Sequence, residues 1–560
     1  MKPIFSFFIF LIVHLPLIAQ ETYQITYEKL SNHKKVTDSN PIRVIANAEE
    51  TVIGTENSFV SDRFYPNEIH YYHGQEPELI YSIMELEENR VLKTVDSIGF
   101  QKIVFKKLNQ TKRILGLRAK HAQIIINSNT IDLWYVDHLG IHASPVPLGL
   151  KLGFVLEYTR NNNYTIRASK IEYLNQVQPS GFYQKHLALD PLDPLTYSHL
   201  VWKNKFKTIP LLARQQIHYD PQSNVASNND SIFRYAHGTV VVRKVKMPYI
   251  DHGSQLFLDV TQVSNGDAYD RTGSVFIIPQ RSKTNLKDAL EKGLNILPVY
   301  ENGNGKKYQG VVLTKDYEPV IELMRFFTPF GIGQFNHVQL KDKTWHLENP
   351  YRQDISEFRD LLSDQEVYIG FFIGNYDQGG HMIDANLTIH NSEKQLFSNG
   401  KSLALFNTLN VMEMAGQEYP TLFNSDRGIH LEFELKEDWK NAKLRLITTG
   451  HGGWGNGDEF VPKLNSVFFD DKLVFSLTPW RQDCGSYRLY NPASGNFDNG
   501  LSSSDYSRSN WCPGTVTTPY FIQLGDLKAG KHTVQVKIPQ GEPEGNSFSS
   551  WALSGVLLGE

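Results

Sequence analysis

The sequence has few of the residues that several reaction classes require. It contains only two cysteines, Cys484 and Cys512, both near the end of the 560-residue chain, with no Cys cluster. Its 19 histidines include no His-x-His pair of the kind that binds copper and no HExxH zinc motif. These metal-binding motifs are therefore missing, which argues against metal chemistry, and no cofactor is expected. A GxSxG nucleophile elbow is also absent. Both cysteines read as structural, which leaves no thiol nucleophile. No sign of charge dominates: the net charge is -4 and there is no long basic run. Nucleic acid is thus excluded as the main partner. After the first twenty residues no apolar run is long enough to span a bilayer.

What is abundant is aromatic. Tyr, Phe and Trp make up 12% of the chain, which suits β-rich domains and also sugar-binding surfaces. The start, MKPIFSFFIFLIVHLPLIAQ, reads as a signal peptide over residues 1–19, cut near Ala19 or Gln20. His14 and Pro16 interrupt the run and argue against a membrane anchor. The expected product is soluble and either secreted or periplasmic. In an exported domain two cysteines point to one disulfide, two buried thiols being the alternative.

The length exceeds what one core usually supports, so two or three domains are expected. Residues 20–215 alternate apolar and polar positions, as in TYQITYEKL and HAQIIINSNTIDLWYVD, which predicts antiparallel strands. The stretch 216–235 is rich in Asn and Ser and reads as a linker. Short strands resume over 216–395 and 396–560. Helices are expected at TNLKDALEKGL and at DISEFRDLL, where Asp354 or Ser356 is placed to cap. The fold class is all-β: two jelly-roll-like β-sandwich domains preceded by a separate β-rich N-terminal domain.

Three polar stretches carry candidate chemistry. In SNGDAYDRTGSVFII, Asp267 and Asp270 flank Tyr269, and Arg271 follows. An ordinary Asn-Gly turn explains this spacing as well as a carboxylate held beside a guanidinium does. In HGGWGNGDEF, Asp458 and Glu459 are either a solvated pair or the source of a second carboxylate for a shared cleft. In SSSDYSRSNWCPG, Arg508 and Trp511 lie beside Cys512, within a segment that a disulfide would pin.

Together these stretches resemble the bacterial F-type peptide:N-glycosidases, amidases that release intact N-glycans from asparagine. ITTGHGGWGNGDEFVPKLNSVFFDD is similar to the family's Gly-His loop with its glutamate. SRSNWCPGTVTTPY is similar to its Arg-x-x-Trp-Cys-Pro-Gly segment, and GDAYDRTGSVFII to its Asp-x-x-Asp-Arg motif. RFFTPFGIG is similar to its Arg-Phe-x-Thr-Pro strand, and DISEFRDLL to the helix-like segment after that strand. The five segments keep the family's order across roughly residues 216–560. An N-terminal domain before them matches a longer branch of the family, in which that domain is bowl-like and sits near the active site.

The resemblance implies Asp270 and Glu459 as catalytic carboxylates. It implies Asp267, Tyr269, Arg271, His451, Trp454, Arg508 and Trp511 as substrate-binding residues, and a Cys484–Cys512 disulfide. The implied partners are N-linked glycoproteins and glycopeptides with their chitobiose core, met by a monomer without a metal. One family acid is missing from YIGFFIGNYDQGGHMID: Phe372 stands at its place, with Asp377 or His381 as substitutes. An insertion, about residues 282–318, separates the Asp-Arg motif from RFFTP. A secreted lectin-like protein on the same scaffold is the alternative reading. A surface-adhesion role for residues 21–215 is a third.

Overall fold

The computed structural model describes residues 21–175, 177–222, 231–331, 340–391, 400–452, 457–492, 503–541 and 549–560. The expected signal peptide lies outside them. The chain divides into two compact units, Met1–Lys205 and Phe206–Glu560.

The first unit is built on one antiparallel sheet of 12 strands. Its earliest and latest strands, Thr22–Ser31 and Tyr164–Leu174, pair side by side in the middle of the strand order. Alternation explains the strands. In TYQITYEKLS, Ile25 and Tyr27 enter one core with Val44, Ala46 and Ile166, and polar neighbours face outward. The helix Pro194–Lys203 closes the unit. Asp193 caps it by accepting from the Leu195 and Thr196 amides at 3.1 and 2.9 Å, and Pro194 occupies the first turn.

The second unit holds two β-sandwiches. In the first, a four-stranded sheet (Phe206–Ile217, His381–His390, Gln255–Ser264, Asn349–Asp354) faces a sheet of six. Leu256, Leu258 and Val260 from one sheet and Val275, Ile277 and Ile369 from the other fill the space between. Each such side chain contributes roughly 1.5–3 kcal/mol by burial. The second sandwich stacks two four-stranded sheets around Leu444, Leu446, Leu431, Phe433, Val534 and Val536. The two share a boundary. Val516–Thr517, from the C-terminal segment, adds to Ile321–Phe327 as the outer strand of the six-stranded sheet.

The expected linker 216–235 needs correction. Its first residues end the strand Phe206–Ile217, which pairs with His381–His390. Its last residues form Ile232–Tyr235, which pairs with Val240–Lys246. The Asn- and Ser-rich middle, residues 223–230, is outside the described residues, and its composition masked the apolar ends. The unit boundary accordingly falls at 205/206 and not at 215/216. The helix in TNLKDALEKGL spans Leu286–Lys292, and Asn285 and Asp288 cap it reciprocally. DISEFRDLL forms two short helical turns, with Asp354 accepting from the Ser356 amide at 2.9 Å. The insertion packs Tyr300 and Tyr308 into the core of the second sandwich.

Candidate active site

The turn GDAYDR joins Gln255–Ser264 to Thr272–Ile278. Thr328 of the RFFTP strand holds it. The Thr328 hydroxyl accepts from the Arg271 amide at 2.7 Å and donates to the Tyr269 carbonyl at 2.8 Å. Asp267 is buried and accepts from Arg271 at 2.7 and 3.2 Å; His381 Nε2 stands 3.4 Å away. Burial works against its charge, yet the nearby His381 and the Arg271 hydrogen bonds win and hold its pKa at about 2. Asp267 was expected among the substrate-binding residues. Its carboxylate instead faces these internal partners, because Arg271 folds back onto it. Asp270 turns the other way.

The second carboxylate comes from the Gly-rich loop. Gly450 packs so closely that an added Cβ would lie 2.6 Å from the Asp458 carbonyl. Gly452 has φ +75°, which favours glycine. These two positions let the chain turn back on itself. Asp458 and Glu459 then separate in role. Asp458 is buried, accepting from Trp551 Nε1 at 2.7 Å and the Gly541 amide at 2.8 Å. Burial raises its pKa. Glu459 reaches Arg508. Trp454 lies outside the described residues.

Arg508 is the join. The segment around it docks on the strand Trp439–His451: Trp511 Nε1 donates to the Gly450 carbonyl at 2.9 Å, and Asn510 to the Thr448 carbonyl at 2.9 Å. The Cys484–Cys512 disulfide ties it down, as expected. From there one guanidinium serves two carboxylates. Nη2 lies 3.1 Å from Asp270 Oδ2, and Nη1 hydrogen-bonds Glu459 Oε1. Arg508 is fully buried, whereas the Asp270 and Glu459 side chains are 16% and 17% exposed. Its carbon lies 4.2 Å from the centre of the Trp511 ring and 5.0 Å from Phe460. Burial pulls its pKa down to about 10 despite the attraction of Asp270. Trp511, expected to touch substrate, is 2% exposed and stacks on Phe327 at 4.3 Å. It is a floor beneath Arg508, because its indole N–H is consumed by the Gly450 carbonyl.

His451 sits between Phe327 and Trp511, with Nε2 at 2.8 Å from the Thr449 hydroxyl. Burial, together with Arg325 and Arg508, depresses its pKa to about 3. It is a neutral imidazole at ordinary pH.

A cavity of about 460 Å³ opens at Asp270, lined also by Arg271, Tyr376, Glu413, His451 and Trp551. Tyr269 and Tyr376 are both exposed and flank the Arg271 guanidinium at 4.9 and 5.3 Å from their ring centres. Phe372 lines the cavity from a buried position. Neither expected substitute for the missing acid reaches it. Asp377 accepts from the Gly379 and Gly380 amides at 2.7 and 2.9 Å, closing its own turn. His381 is buried against Asp267 and Gln262. Among the described residues no group of three or more His, Cys, Asp or Glu is placed to hold a metal.

Other residues were not found by sequence reasoning. Arg325 and Glu322 form a fully buried pair at 2.6 Å, and Arg325 reaches the Thr449 hydroxyl at 3.1 Å in the other sandwich. Arg445 returns the link, donating to the Glu322 and Leu323 carbonyls at 2.8 and 3.0 Å and to Glu357 at 2.7 Å. A lone arginine inside an apolar strand, as in IELMRFF and AKLRLITTG, was the available signal. Glu413 and Tyr376 had none.

Two β-sandwiches, joined so that a buried arginine bridges a carboxylate from each beside a cavity, define the class by fold: a two-sandwich all-β protein. The sequence matches agree. Residues 208–389 match the model of the N-terminal domain of peptide-N-glycosidase F, and residues 418–558 that of its C-terminal domain. Residues 25–199 match the N-glycanase peptide N-terminal domain. A solved structure of PNGF-II in space group P21 is 49% identical, with a TM-score of 0.85 over 96% of this chain and 99% of that one. PNGF-II in space group C2 aligns at 49% identity and TM-score 0.79, covering 96% and 98%. PNGase F, a glycosylasparaginase from Flavobacterium meningosepticum, is 13% identical at TM-score 0.42, covering 63% of this chain and 96% of that one. No curated protein matches the chain. The chain belongs to the peptide-N-glycosidase F family of N-glycanases.

Proposed function

We propose that the protein is a peptide-N4-(N-acetyl-β-glucosaminyl)asparagine amidase acting on N-linked glycoproteins and glycopeptides. Water adds across the amide between asparagine and the first GlcNAc. Its hydroxyl joins the carbonyl carbon, leaving aspartate, and its proton goes to the nitrogen, releasing the glycan as a glycosylamine. The observation that carries this reading is Arg508 bridging Asp270 and Glu459 at the edge of a cavity with exposed aromatics.

In this mechanism Asp270 contacts the first GlcNAc and takes the proton of the attacking water. Arg508 and Arg271 offset the negative charge that develops on the amide oxygen. Glu459, fixed through the same guanidinium, orients the water. His451 is neutral and serves as a hydrogen-bond partner in the cavity wall, not as the acid. Tyr269 and Tyr376 offer aromatic faces to sugar rings. One chain supplies both carboxylates and the arginine, which suits a monomer. The disulfide and the apolar leader suit export to an oxidising compartment.

The test is Asp270→Asn. Incubated with a denatured N-glycoprotein, the wild type is expected to convert the glycosylated asparagine to aspartate, read as a mass change at the sequon. The variant is expected to retain the wild-type circular dichroism spectrum and convert none. A variant with wild-type rate removes Asp270 from the chemistry. A wild type that binds glycans without conversion makes the protein a lectin.

A further inference from the structure

Glu413 lies between Lys401–Asn407 and Ile429–Leu435, two strands of the second sandwich, in the stretch 390–417 that neither family model matches. It nevertheless lines the same cavity as Asp270. Its place is built. Leu409, Val411 and Met412 bury themselves beside Phe372 and Ala552 in one apolar cluster. The Met412 amide donates to Gln417 Oε1 at 3.0 Å, and the Gln417 amide returns a bond to the Met412 carbonyl at 3.1 Å. On that base Glu413 begins a short helical turn, with its side chain exposed. Its carboxylate accepts from the Tyr376 hydroxyl at 2.6 Å, and Tyr376 lies over Arg271.

We infer that Glu413 is a specificity-determining carboxylate that binds the hydroxyl groups of a sugar beyond the one attached to asparagine. The inference rests on the amidase reading above. Three points carry it. A carboxylate accepts at both oxygens, so one bond to Tyr376 leaves several acceptor positions for sugar hydroxyls. Tyr376 fixes the direction of the group, as a reading residue requires. Glu413 is held by Tyr376 and Asp270 by Arg508, so the two carboxylates enter the cavity from different supports and meet different parts of the glycan. Phe372 makes this wall apolar at the place of the missing family acid, and an acid comes instead from this loop of the second sandwich.

The experiment compares Glu413→Ala, Glu413→Gln and Tyr376→Phe with the wild type on a glycopeptide bearing a complete N-glycan and on the same peptide bearing one GlcNAc. For Glu413→Ala on the complete glycan, KM is expected to rise about tenfold, the loss of a hydrogen bond to a charged group. The effect should fall on KM more than on kcat, with a smaller rise on the single-GlcNAc peptide. Glu413→Gln should recover part of the loss, and Tyr376→Phe should show a weaker loss of the same kind. An unchanged KM, a loss confined to kcat, or an equal rise on both peptides overturns the inference. Should the wild type release no glycan, the amidase reading fails by itself. Calorimetric titration of the complete glycopeptide then decides Glu413: weaker binding by Glu413→Ala supports it, and equal binding overturns it.

Discussion

Replacing Arg508 by methionine tests whether this guanidinium holds the site together by charge. The side chain is fully buried, and burial has already lowered its pKa from 12.5 to about 10. At 1.36 kcal/mol per unit that depression corresponds to roughly 3 kcal/mol. The fold thus retains the cation at a net cost, which a purely structural residue would not require. Methionine removes the cation but leaves Asp270 and Glu459 facing each other without it. Removing one partner of a buried ion pair costs about 3–5 kcal/mol. Both carboxylates keep some contact with water, so the low end, about 3 kcal/mol, is expected at pH 8.

The loss must depend on pH in one direction. Without Arg508 the two carboxylates repel each other while both are ionised, and protonation of either relieves the repulsion. A raised folded pKa for an acid destabilises above that pKa and is relieved as pH falls through it. Urea titrations should therefore show a smaller gap between Arg508→Met and wild type at pH 5 than at pH 8. Adding Asp270→Asn and Glu459→Gln removes the repelling charges and should restore most of the stability without restoring activity. An equal loss at both pH values, or a triple variant no more stable than the single, refutes the charge argument and leaves Arg508 as packing for Trp511 and Phe460.

Two further expectations concern stability. Asp267 holds a pKa of about 2 against its ordinary 3.8, so Asp267→Asn should cost about 2 kcal/mol at neutral pH in urea unfolding. In the wild type that contribution is present above pH 4 and is lost as pH falls toward 2; a variant as stable as wild type at pH 7 contradicts the pairing with Arg271 and His381. His451 titrates near pH 3 when folded and near 6.5 when unfolded. Below pH 6.5 the unfolded chain takes the proton first, so its neutral burial should cost about 1.4 kcal/mol per pH unit down to pH 3. Histidine NMR reports this directly, and a His451 resonance shifting between pH 6 and 7 in the folded protein would remove it.

Strand content was legible because period-2 alternation is written locally, as in GIHLEFELK, where Ile429, Leu431 and Phe433 all enter the core. The order of the five motif segments also survived intact. What sequence could not convey was direction. Asp458 and Glu459 are adjacent, and nothing local tells which faces Arg508. The decision is made by Trp551 and Gly541, more than eighty residues downstream, which claim Asp458. Asp267 and Trp511 were expected as substrate contacts from the family resemblance alone. Their polar atoms are spent on Arg271 and on the Gly450 carbonyl. Glu413 was invisible for the opposite reason: in NVMEMAGQEYP it is an ordinary acid, placed only by the burial of Val411 and Met412.

Arg325 and Arg445 raise the question of why the two sandwiches meet through buried guanidinium groups when an apolar seam would be more stable. Buried ion pairs are weak stabilisers, and apolar replacements of similar volume are often neutral or better by about 1–4 kcal/mol. An apolar seam, however, tolerates sliding, whereas a planar fork bonded to two specified carbonyls does not. Arg445 donates to the carbonyls of Glu322 and Leu323, which belong to the strand that ends at Phe327 and leads into Thr328, the residue clamping the Asp270 turn. Register at this seam therefore sets where Asp270 stands relative to Glu459. Arg445→Met combined with Glu357→Gln removes both partners of the outer pair, so stability should change by less than about 2 kcal/mol. Misplacement on the order of 1 Å at the chemistry can reduce the rate about a hundredfold, and kcat is expected to fall by that scale. Thermal unfolding and glycan-release kinetics on the same preparation decide it. If kcat holds while stability drops, the guanidinium groups are there for stability, and the alignment of the two carboxylates has another source.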